Sequence, residues 1–429
     1  MVFSVLLGPP YGRAVKLPGV EDVERAAVRL KEIAEPTPLQ RSPRLSALTG
    51  YDVWVKREDL HEVRSYKGRG AYTVIASLTD EERARGVTCA SAGNHAQGVA
   101  FACARTGVRA RIFLPRTTPR QKRQRIAALG GDWVEVVIDG DTYDDAALAS
   151  ATWAEESGAT PVPPFDDPRT IAGQGTVAAE VLQQLGTAPD AVVVPVGGGG
   201  LLAGMLVVLA EHAPAARVVG AEPAGAASMA AAVDAGGPIG LDTVDSFVDG
   251  AAVRRVGTLT YEAVRVHAPA LTAVPEGLIC VEMLDLYQSD GIIAEPAGAL
   301  ATAALRQGLD LPAGSTVVCV LSGGNNDVSR YAEIWERALV HEGLKHYFLV
   351  EFPQEPGALR RFLDEVLGPD DDVVLFEYVK RSNRETGPAL VGIELQDRDD
   401  FQPLLDRMAV SPLRVEVVSP DSPLFRFVQ

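Results

Sequence analysis

The stretch AVVVPVGGGGLLAGMLVVLA, from Ala191 to Ala210, contains no charged residue and has four consecutive glycines near its middle. Its valine-rich first part is typical of a buried strand, and its apolar last part is long enough for a buried helix. A glycine run after a proline would break a helix that spans a membrane. We therefore interpret the stretch as a strand, a loop and a helix, and we predict no membrane span.

The same alternation extends to both sides of this stretch. The segment RVVGAE follows it as a second strand, and GVTCAS, NHAQGVAFACARTG and RARIFLP form an earlier strand, helix and strand. Repeated units of this kind indicate a mainly parallel sheet. We predict the α/β class, with a region of two open α/β domains over residues 1–340.

The pattern changes after a break at HEG, residues 341–343. The segments YFLVEF, PGALRRFLDEVL, VVLFEYVK, ALVGIEL, DFQPLLDRM and RVEVV predict the order βαββαβ. Apolar residues repeat at helical spacing in both helices, at Leu359, Phe362, Leu363, Val366 and Leu367 in the first and at Phe401, Leu404, Leu405 and Met408 in the second. We predict a ferredoxin-like sandwich over residues 341–429.

The composition argues against several classes of function. The 429 residues include 57 Asp and Glu but 40 Lys and Arg, which gives a net charge of −17. Nucleic acids and anionic membranes require a basic surface, so neither is an expected partner. Four widely separated cysteines without a C-x-x-C pair indicate neither a disulfide framework nor a zinc site, and they fit a reducing cytoplasm. Small molecules and further copies of the chain are the expected partners.

Loops that follow the strands of an open parallel sheet are the usual places for ligands. Three such loops combine glycine with short polar residues: SAGNH at 91–95, GGGG at 197–200 and SGGNN at 322–326. A glycine loop that opens a helix can hold a phosphate with its backbone N–H groups. Each loop alone is equally explained by a helix cap or a tight turn, so the three must be considered together.

The glycine loop has a second interpretation. Gly198, Gly200 and Ala203 fit the pattern G-x-G-x-x-A, and Glu222 ends the next strand about twenty residues later, as in a dinucleotide-binding site. This interpretation explains the loop and Glu222. It leaves Lys67 and the other two loops without a role.

The hexapeptide SYKGRG, residues 65–70, places Lys67 at a predicted helix start. The helix dipole disfavours an ammonium group there, so Lys67 is either a solvated side chain or a neutral, nucleophilic amine. A phosphate loop, two polar loops and a reactive lysine together suit pyridoxal phosphate.

The motifs SYKGRGA, SAGNHAQGVA, PVGGGGLLAG, AEPAGALA and LSGGN, in this order, resemble those of the fold-type II pyridoxal-phosphate enzymes, in particular the threonine dehydratases. The resemblance implies that Lys67 is the catalytic Schiff-base lysine. The other cofactor-binding residues that it implies are Tyr66 beside the ring, Asn94 at the phenolic oxygen, Gly197, Gly198, Gly199, Gly200 and Leu201 at the phosphate, and Ser322 at the ring nitrogen. The implied substrate-binding residues are Ser91, Ala92, Gly93, Asn94 and His95, with Ser91 at the substrate carboxylate. Many relatives have phenylalanine in the place of Tyr66.

Two positions distinguish the relatives within this family. Serine racemases have a second serine where this chain has Ala92, and alanine cannot transfer a proton, so we expect elimination and not racemisation. Some relatives place an acidic metal ligand where this chain has Ser228. No metal is therefore expected, and we interpret Glu222 as a strand-end carboxylate that bonds to nearby backbone.

The resemblance also implies the reaction and its control. L-Threonine would be converted to 2-oxobutanoate and ammonia, the first step of isoleucine biosynthesis, with L-serine as a poorer substrate. The C-terminal sandwich resembles an ACT-like regulatory domain, so we expect isoleucine to inhibit and consider valine as an activator, with Tyr378 as an effector contact or a packed aromatic. The family expectation is a cytoplasmic homotetramer. A non-catalytic amino-acid sensor is the alternative, and Lys67 and Asn94 argue against it.

Overall fold

The structure, a computed structural model, describes residues 16–378, 385–419, 422 and 425. The chain forms two compact units. Among the described residues, the first contains those up to Glu276 together with Asp285–Asn326, and the second contains Gly277–Leu284 together with those from Asp327 onward. Each unit has its own sheet structure and core.

Strands occur in both units. Those of the first unit are β1 (Leu39–Arg41), β2 (Asp52–Arg57), β3 (Val87–Ala90), β4 (Ala110–Leu114), β5 (Val134–Ile138), β6 (Thr160–Pro161), β7 (Ala191–Pro195), β8 (Arg217–Pro223), β9 (Ala270–Val274) and β10 (Thr316–Leu321). Those of the second unit are β11 (Lys345–Pro353), β12 (Asp372–Tyr378), β13 (Thr386–Glu394) and β14 (Arg414–Val417).

Helices follow most of these strands. They are α1 (Val20–Leu30), α2 (Pro43–Thr49), α3 (Lys67–Ala76), α4 (Asp80–Arg85), α5 (Asn94–Thr106), α6 (Arg120–Gly130), α7 (Tyr143–Ser157), α8 (Pro168–Leu185), α9 (Gly200–His212), α10 (Ser228–Ala235), α11 (Thr258–His267), α12 (Glu276–Gln288), α13 (Pro296–Leu305), α14 (Tyr331–Glu342), α15 (Ala358–Glu365) and α16 (Phe401–Val410). None of the helices in the described ranges combines the length and the apolar character that crossing a bilayer requires.

The first unit contains two open sheets, as the repeated strand–helix–strand pattern predicted. One has the order β1-β2-β10-β7-β8-β9, and all its neighbouring strands are parallel except the β1–β2 pair. The other has the order β5-β4-β3-β6 and is parallel throughout. Because parallel strands point the same way, the loops after β7 and β10 leave the first sheet at the same edge.

The stretch from Ala191 to Ala210 folds as the sequence predicted. All five residues of β7 are buried, and α9 follows the glycine loop. Its apolar side chains join a core cluster that includes Val192, Leu202 and Met205. Each fully buried aliphatic side chain of this kind contributes about 1.5–3 kcal/mol relative to exposure. The run is hydrophobic because both its strand and its helix lie inside the protein.

The second unit contains the predicted βαββαβ order, formed by β11, α15, β12, β13, α16 and β14. Its antiparallel sheet has the strand order β12-β13-β11-β14, which is the ferredoxin-like arrangement. Phe348, Val391 and Leu404 are among the side chains that fill its core.

The apolar face of α15 is narrower than the sequence predicted. Ala358, Phe362 and Val366, spaced four residues apart, are buried along the line that packs in the core. Leu359 and Leu363, which we also expected in the core, are 41% and 44% exposed. The reason is that the two leucines lie beside this line, on the flank of a helix of two turns.

Candidate active site

Lys67 is the first residue of α3, where the sequence placed a helix start. Its Nζ atom donates a hydrogen bond to the carbonyl oxygen of Pro164 over 3.1 Å and lies 5.0 Å from the centre of the Tyr66 ring. The backbone N–H of Tyr66 donates to the carbonyl oxygen of Ser322 over 3.1 Å. The lysine therefore lies beside the loop that begins at Ser322.

The four glycines after β7, the last of which begins α9, leave no room for side chains. A Cβ atom at Gly198 would overlap with the ring of Phe165, and one at Gly197 would lie 2.9 Å from the Cα atom of Ala251. Gly199 has a φ of +88°, in the left-handed region that favours glycine. Packing and backbone conformation thus both require glycine in this loop.

This loop fits the phosphate of the expected cofactor. Helix α9 begins at Gly200, and the N–H groups of its first turn, including that of Leu201, have no acceptor within the helix. In this turn, which lies wholly within the described residues, no side chain is acidic. The Thr260 hydroxyl donates to the carbonyl oxygen of Gly198 over 2.7 Å and holds the loop in place. A positive helix end without side chains suits an anion.

Asn94 begins α5 at the end of β3, and its amide is oriented by two neighbours. Its Nδ2 atom donates to Glu295 Oε1 over 2.5 Å, and its Oδ1 atom accepts from Asn325 Nδ2 over 2.8 Å. Asn325 Nδ2 also donates to the carbonyl oxygen of Val63 over 2.9 Å. The second hydrogen on Asn94 Nδ2 remains able to form a hydrogen bond with an oxygen atom of the cofactor.

Glu295 is a site residue that sequence reasoning missed, although it lies in the AEPAGALA motif. Burial, followed by the charge of Asp249, raises its pKa to about 7. The hydrogen bond from Asn94 and the cations Lys122 and Arg64 act in the opposite direction. The signal in the sequence is an acid directly before the proline that opens α13.

Ser322 follows β10 and is buried. Its hydroxyl donates to the carbonyl oxygen of Ala297 in α13 over 3.1 Å. Because a hydroxyl rotates about its C–O bond, Ser322 can also donate to a ring nitrogen. Next to it, Ser65 forms a backbone bridge with Gly323, and the buried Ser65 hydroxyl has no hydrogen-bond partner among the described residues. This end of the site thus holds polar atoms able to meet a polar ring.

The segment from Ser91 to His95 leads into α5 and includes the first two residues of this helix. The hydroxyl oxygen of Ser91 accepts from the backbone N–H of Gly93 over 3.2 Å, and the space beside Gly93 is open. Ala92 packs at the margin of a hydrophobic core cluster. His95 Nε2 lies 2.7 Å from the carbonyl oxygen of Val162, and burial, with the nearby charge of Lys67, lowers the pKa of His95 to about 3. His95 is therefore neutral, and its ring is directed to backbone.

Glu222 has a local role, as the sequence suggested. Its two carboxylate oxygens accept from the backbone N–H groups of Met229 and Ala230 over 2.6 and 2.9 Å. Burial raises the pKa of Glu222 to about 7, although these two hydrogen bonds act to lower it. The acid that the dinucleotide interpretation assigns to a ribose is thus bonded to α10. In the described part of the chain, no group of three or more His, Cys, Asp or Glu residues is placed to hold a metal ion.

Sequence reasoning also missed Gln174, in the middle of α8. Gln174 is fully buried, and its Nε2 atom donates to the carbonyl oxygen of Pro164 over 3.2 Å. The signal was the run AGQGT, since glycines at 173 and 175 weaken a helix unless another backbone approaches it. A Cβ atom at Gly173 would lie 2.6 Å from the carbonyl oxygen of Arg69, and one at Gly175 would lie 2.7 Å from that of Gly204.

Buried ion pairs hold α3 in position. Arg69 donates to Glu58 over 2.8 Å and to Glu180 over 2.5 Å, and Lys56 donates to Glu180 over 2.6 Å. Burial opposes the ionisation of Glu58, but Arg69 and Lys56 outweigh it and hold its pKa at about 2. The helix that begins with Lys67 is thereby tied to the end of β2 and to α8.

Tyr378 is the last residue of β12 in the second unit. Its ring packs edge-on against Phe352, with 5.9 Å between ring centres, and lies 6.3 Å from the ring of Phe376. It is partly buried against the core of this unit. The remainder of the predicted strand, residues 379 and 380, lies outside the described residues. The packed aromatic that we considered for Tyr378 is thus present, and its contact with an effector stays a prediction.

Two family profiles match the chain. Residues 30–323 match a family described as pyridoxal-phosphate dependent enzyme. Residues 336–428 match a family described as the C-terminal regulatory domain of threonine dehydratase. The two matched regions follow one another along the chain.

Curated relatives are similar over nearly the whole length. The biosynthetic L-threonine dehydratase IlvA of Mycobacterium tuberculosis is 60% identical over 409 residues, which cover 95% of each chain. The protein of the same name from Bacillus subtilis is 47% identical over 409 residues, which cover 95% of this chain and 97% of the relative.

Solved structures share the fold of about three quarters of the chain. The processed form of threonine deaminase isoform 2 from Solanum lycopersicum has a TM-score of 0.70 and 37% identity, and the match covers 76% of this chain and 95% of that one. Maize serine racemase has a TM-score of 0.69 and 30% identity, with 76% and 98% covered.

Proposed function

We propose the reaction of this chain from the premise that it belongs to the pyridoxal-phosphate-dependent enzymes and, within them, to the biosynthetic threonine dehydratases. Its cofactor is pyridoxal phosphate. The proposed reaction converts L-threonine to 2-oxobutanoate and ammonia, the first step of isoleucine biosynthesis, with L-serine as a poorer substrate. One observation carries the proposal: the amine of Lys67 bonds to the carbonyl of Pro164, and the next residue, Phe165, packs against Gly198 of the glycine loop.

The proposed roles in the site follow from chemistry and position. When bound, pyridoxal phosphate supplies an electron sink that makes the Cα–H bond of an attached amino acid acidic. Lys67 would hold the cofactor through its amine, and the free amine would accept the Cα proton of the substrate. The N–H groups of residues 197–201 would hold the phosphate, and the Tyr66 ring would lie beside the cofactor ring. Asn94 would donate to the phenolic oxygen, and the Ser322 hydroxyl would donate to the ring nitrogen.

The substrate is proposed to bind at the start of α5. Ser91 and the N–H groups of residues 92–95 are donors for its carboxylate, and the helix end favours an anion there. Ala92 has no group that could deliver a proton to the opposite face of Cα, so inversion at Cα is not expected. The β-hydroxyl would leave as water with the proton that Lys67 has taken from Cα. Because a neutral hydroxyl at Ser322 stabilises a protonated ring less than a carboxylate would, prompt elimination is favoured.

The proposed control lies in the C-terminal part of the chain. We assign residues 1–340 to catalysis and residues 341–429 to an ACT-like regulatory domain, with isoleucine as inhibitor, valine as activator and Tyr378 at the effector site. The match to a regulatory domain of threonine dehydratase supports this assignment. A homotetramer in the cytoplasm completes the proposal. The homotetramer rests on the family expectation, and the location in the cytoplasm rests on cysteines that are widely spaced in the sequence.

Borohydride reduction of the purified enzyme, followed by peptide mass spectrometry, tests the site. We expect the cofactor on the Lys67 peptide, and we expect the visible absorption band of the unreduced enzyme to shift when threonine is added. Lys67→Ala should abolish turnover, whereas Lys31→Ala, at an exposed position, should retain it. A cofactor found on another lysine, or NAD released from the purified protein, contradicts the assignment.

A further inference from the structure

Gln174 lies where three helices meet. It is fully buried in α8, and the glycines on both sides of it allow the backbones of α3 and α9 to approach closely. The same close packing surrounds the side chain: a Cβ atom at Gly70 of α3 would lie 3.2 Å from Gln174 Nε2. The position of this amide is therefore fixed by α3, α8 and α9 together.

The amide shares an acceptor with the reactive lysine. Gln174 Nε2 donates to the carbonyl oxygen of Pro164 over 3.2 Å, and Lys67 Nζ donates to the same oxygen over 3.1 Å. A carbonyl oxygen has two lone pairs, so both bonds can form at once. The nitrogen of Gln174 faces this oxygen because an amide oxygen there would oppose another acceptor. Gln174 thus fixes the direction of the group that receives the lysine amine.

The other end of the amide is directed to the glycine loop. Gln174 Oε1 is buried and has no hydrogen-bond partner among the described residues, and a Cβ atom at Gly200 would overlap with it. A buried acceptor without a donor destabilises the folded state, and an apolar side chain of similar size would avoid that loss. Stability alone therefore does not explain a glutamine at this position.

We propose that Gln174 is a positioning residue: it braces the Pro164 carbonyl against the glycine loop and so holds the amine of Lys67 where that amine exchanges a proton with the substrate. The inference rests on the proposed function. It adds a group that touches neither the substrate nor the cofactor and acts through Pro164.

Other charged groups near Lys67 set the background for a test. His95, on α5, is electrostatically coupled to Lys67 and is neutral, since its pKa is about 3. Arg69, on α3, is paired with Glu58 and Glu180. Neither group changes its charge between pH 6 and pH 10. Glu295, which accepts a hydrogen bond from Asn94 in the same site, has a pKa of about 7 and titrates in the wild type and in the variants alike. A difference in pH dependence between a Gln174 variant and the wild type therefore reports on position 174 and Lys67.

Two substitutions separate positioning from stability. Gln174→Leu removes both the bond to Pro164 and the unpaired oxygen, so we expect a melting temperature no lower than that of the wild type. Because a small misplacement of a reacting group is costly, we expect kcat to fall by about tenfold to a hundredfold, with a smaller change in KM.

Gln174→Glu places a carboxyl group near Lys67, which favours the protonated amine. The pH profile of kcat should move upward by about one unit or more.

The full-length enzyme allows two independent measurements. One is kcat and KM for threonine from pH 6 to pH 10. The other is acetylation of the Lys67 peptide by acetic anhydride across the same pH range, measured by mass spectrometry after the cofactor has been removed. Gln183→Glu, at an exposed position on the same helix, is the matched control and should behave as the wild type in both.

The outcomes are distinct. A raised acetylation midpoint in Gln174→Glu, together with a lower kcat in Gln174→Leu at unchanged melting temperature, supports the positioning role. An unchanged midpoint in Gln174→Glu, or a kcat of Gln174→Leu equal to that of the control, overturns it. If the wild type and the control do not deaminate threonine, the proposed function fails, while acetylation still decides whether Gln174 acts on Lys67.

Discussion

Glu295 is a buried acid that changes its charge near neutral pH. Burial holds its pKa at about 7, and its Oε1 atom accepts the hydrogen bond from Asn94. Below that pH the carboxyl group is protonated, and above it an anion faces the amide. Glu295, which accepts the hydrogen bond from Asn94, thus gains a negative charge as the pH rises. This charge strengthens the bond that orients the Asn94 amide.

The Glu295→Gln variant tests this assignment. In the unfolded chain a glutamate titrates near pH 4.3. Because the folded pKa is raised, Glu295 contributes stability that is complete below about pH 4.3 and is lost as the pH rises through 7, a loss of the order of 3 kcal/mol. The variant does not titrate and should lose less stability between pH 4.5 and pH 8, as measured by urea unfolding. Glu155→Gln, at an exposed position, is the control, and equal losses in both variants would contradict the raised pKa.

Helix α3 depends on charges that lie inside the protein. Arg69 is buried and is paired with Glu58 and Glu180, which come from the segment after β2 and from α8. A buried guanidinium group is tolerated only when carboxylates and further acceptors surround it. These contacts hold the first turn of α3, which begins with Lys67, against its neighbours.

Removing one partner of this group should be strongly destabilising. Glu58→Gln leaves the buried Arg69 with one charged partner fewer, and we expect the free energy of unfolding to fall by about 3–5 kcal/mol. Glu262→Gln breaks the exposed pair with Arg265 and should leave the unfolding midpoint close to that of the wild type. Chemical denaturation at pH 7 measures both variants. Similar midpoints for the two would show that the pairs at Arg69 contribute no more than surface ones.

Elements with a local pattern could be predicted from the sequence, and contacts between distant segments could not. The valine run of β7 and the glycines after it predict a strand, a loop and a helix from twenty consecutive residues. The run AGQGT and the acid before Pro296 mark Gln174 and Glu295 in the sequence but do not give their roles. Those roles depend on the backbone carbonyl of Pro164, which has no sequence pattern, and on Asn94, which is 201 residues from Glu295 in the chain. Leu359 illustrates the opposite error, since apolar spacing alone does not tell which flank of a short helix meets the sheet.

At the scale of the molecule, the two units contain different kinds of structure. The first has mainly parallel sheets, and Lys67, Asn94 and Ser322 lie after strands of these sheets. The second has an antiparallel sheet with Tyr378 at the end of β12. It also contains residues 277–284, which come from the middle of α12. Removal of the C-terminal segment therefore deprives part of α12 of its neighbours.

A chain that ends at Leu339 tests the regulatory assignment. If isoleucine acts through residues 341–429, the shortened enzyme should retain dehydratase activity and lose its response to isoleucine. Tyr378→Ala, which leaves α12 intact, should keep the activity without isoleucine and raise the concentration for half-inhibition by about fivefold or more. Steady-state rates over an isoleucine series measure both, and circular dichroism confirms folding. Val410→Ala, at an exposed position, is the control, and equal inhibition of all variants would place the effector site in the catalytic region.

The order of strands in the larger sheet affects the synthesis of the protein. Strand β10 lies between β2 and β7 but is the last of the three to leave the ribosome. Until then β2 and β7 each have an unpaired edge, and unpaired edges of this kind invite association with other chains. The cofactor pocket is also incomplete until then, because Lys67 is synthesised long before β10 and Ser322 directly after it. A nascent chain halted before residue 316 should therefore be prone to aggregate and unable to retain pyridoxal phosphate.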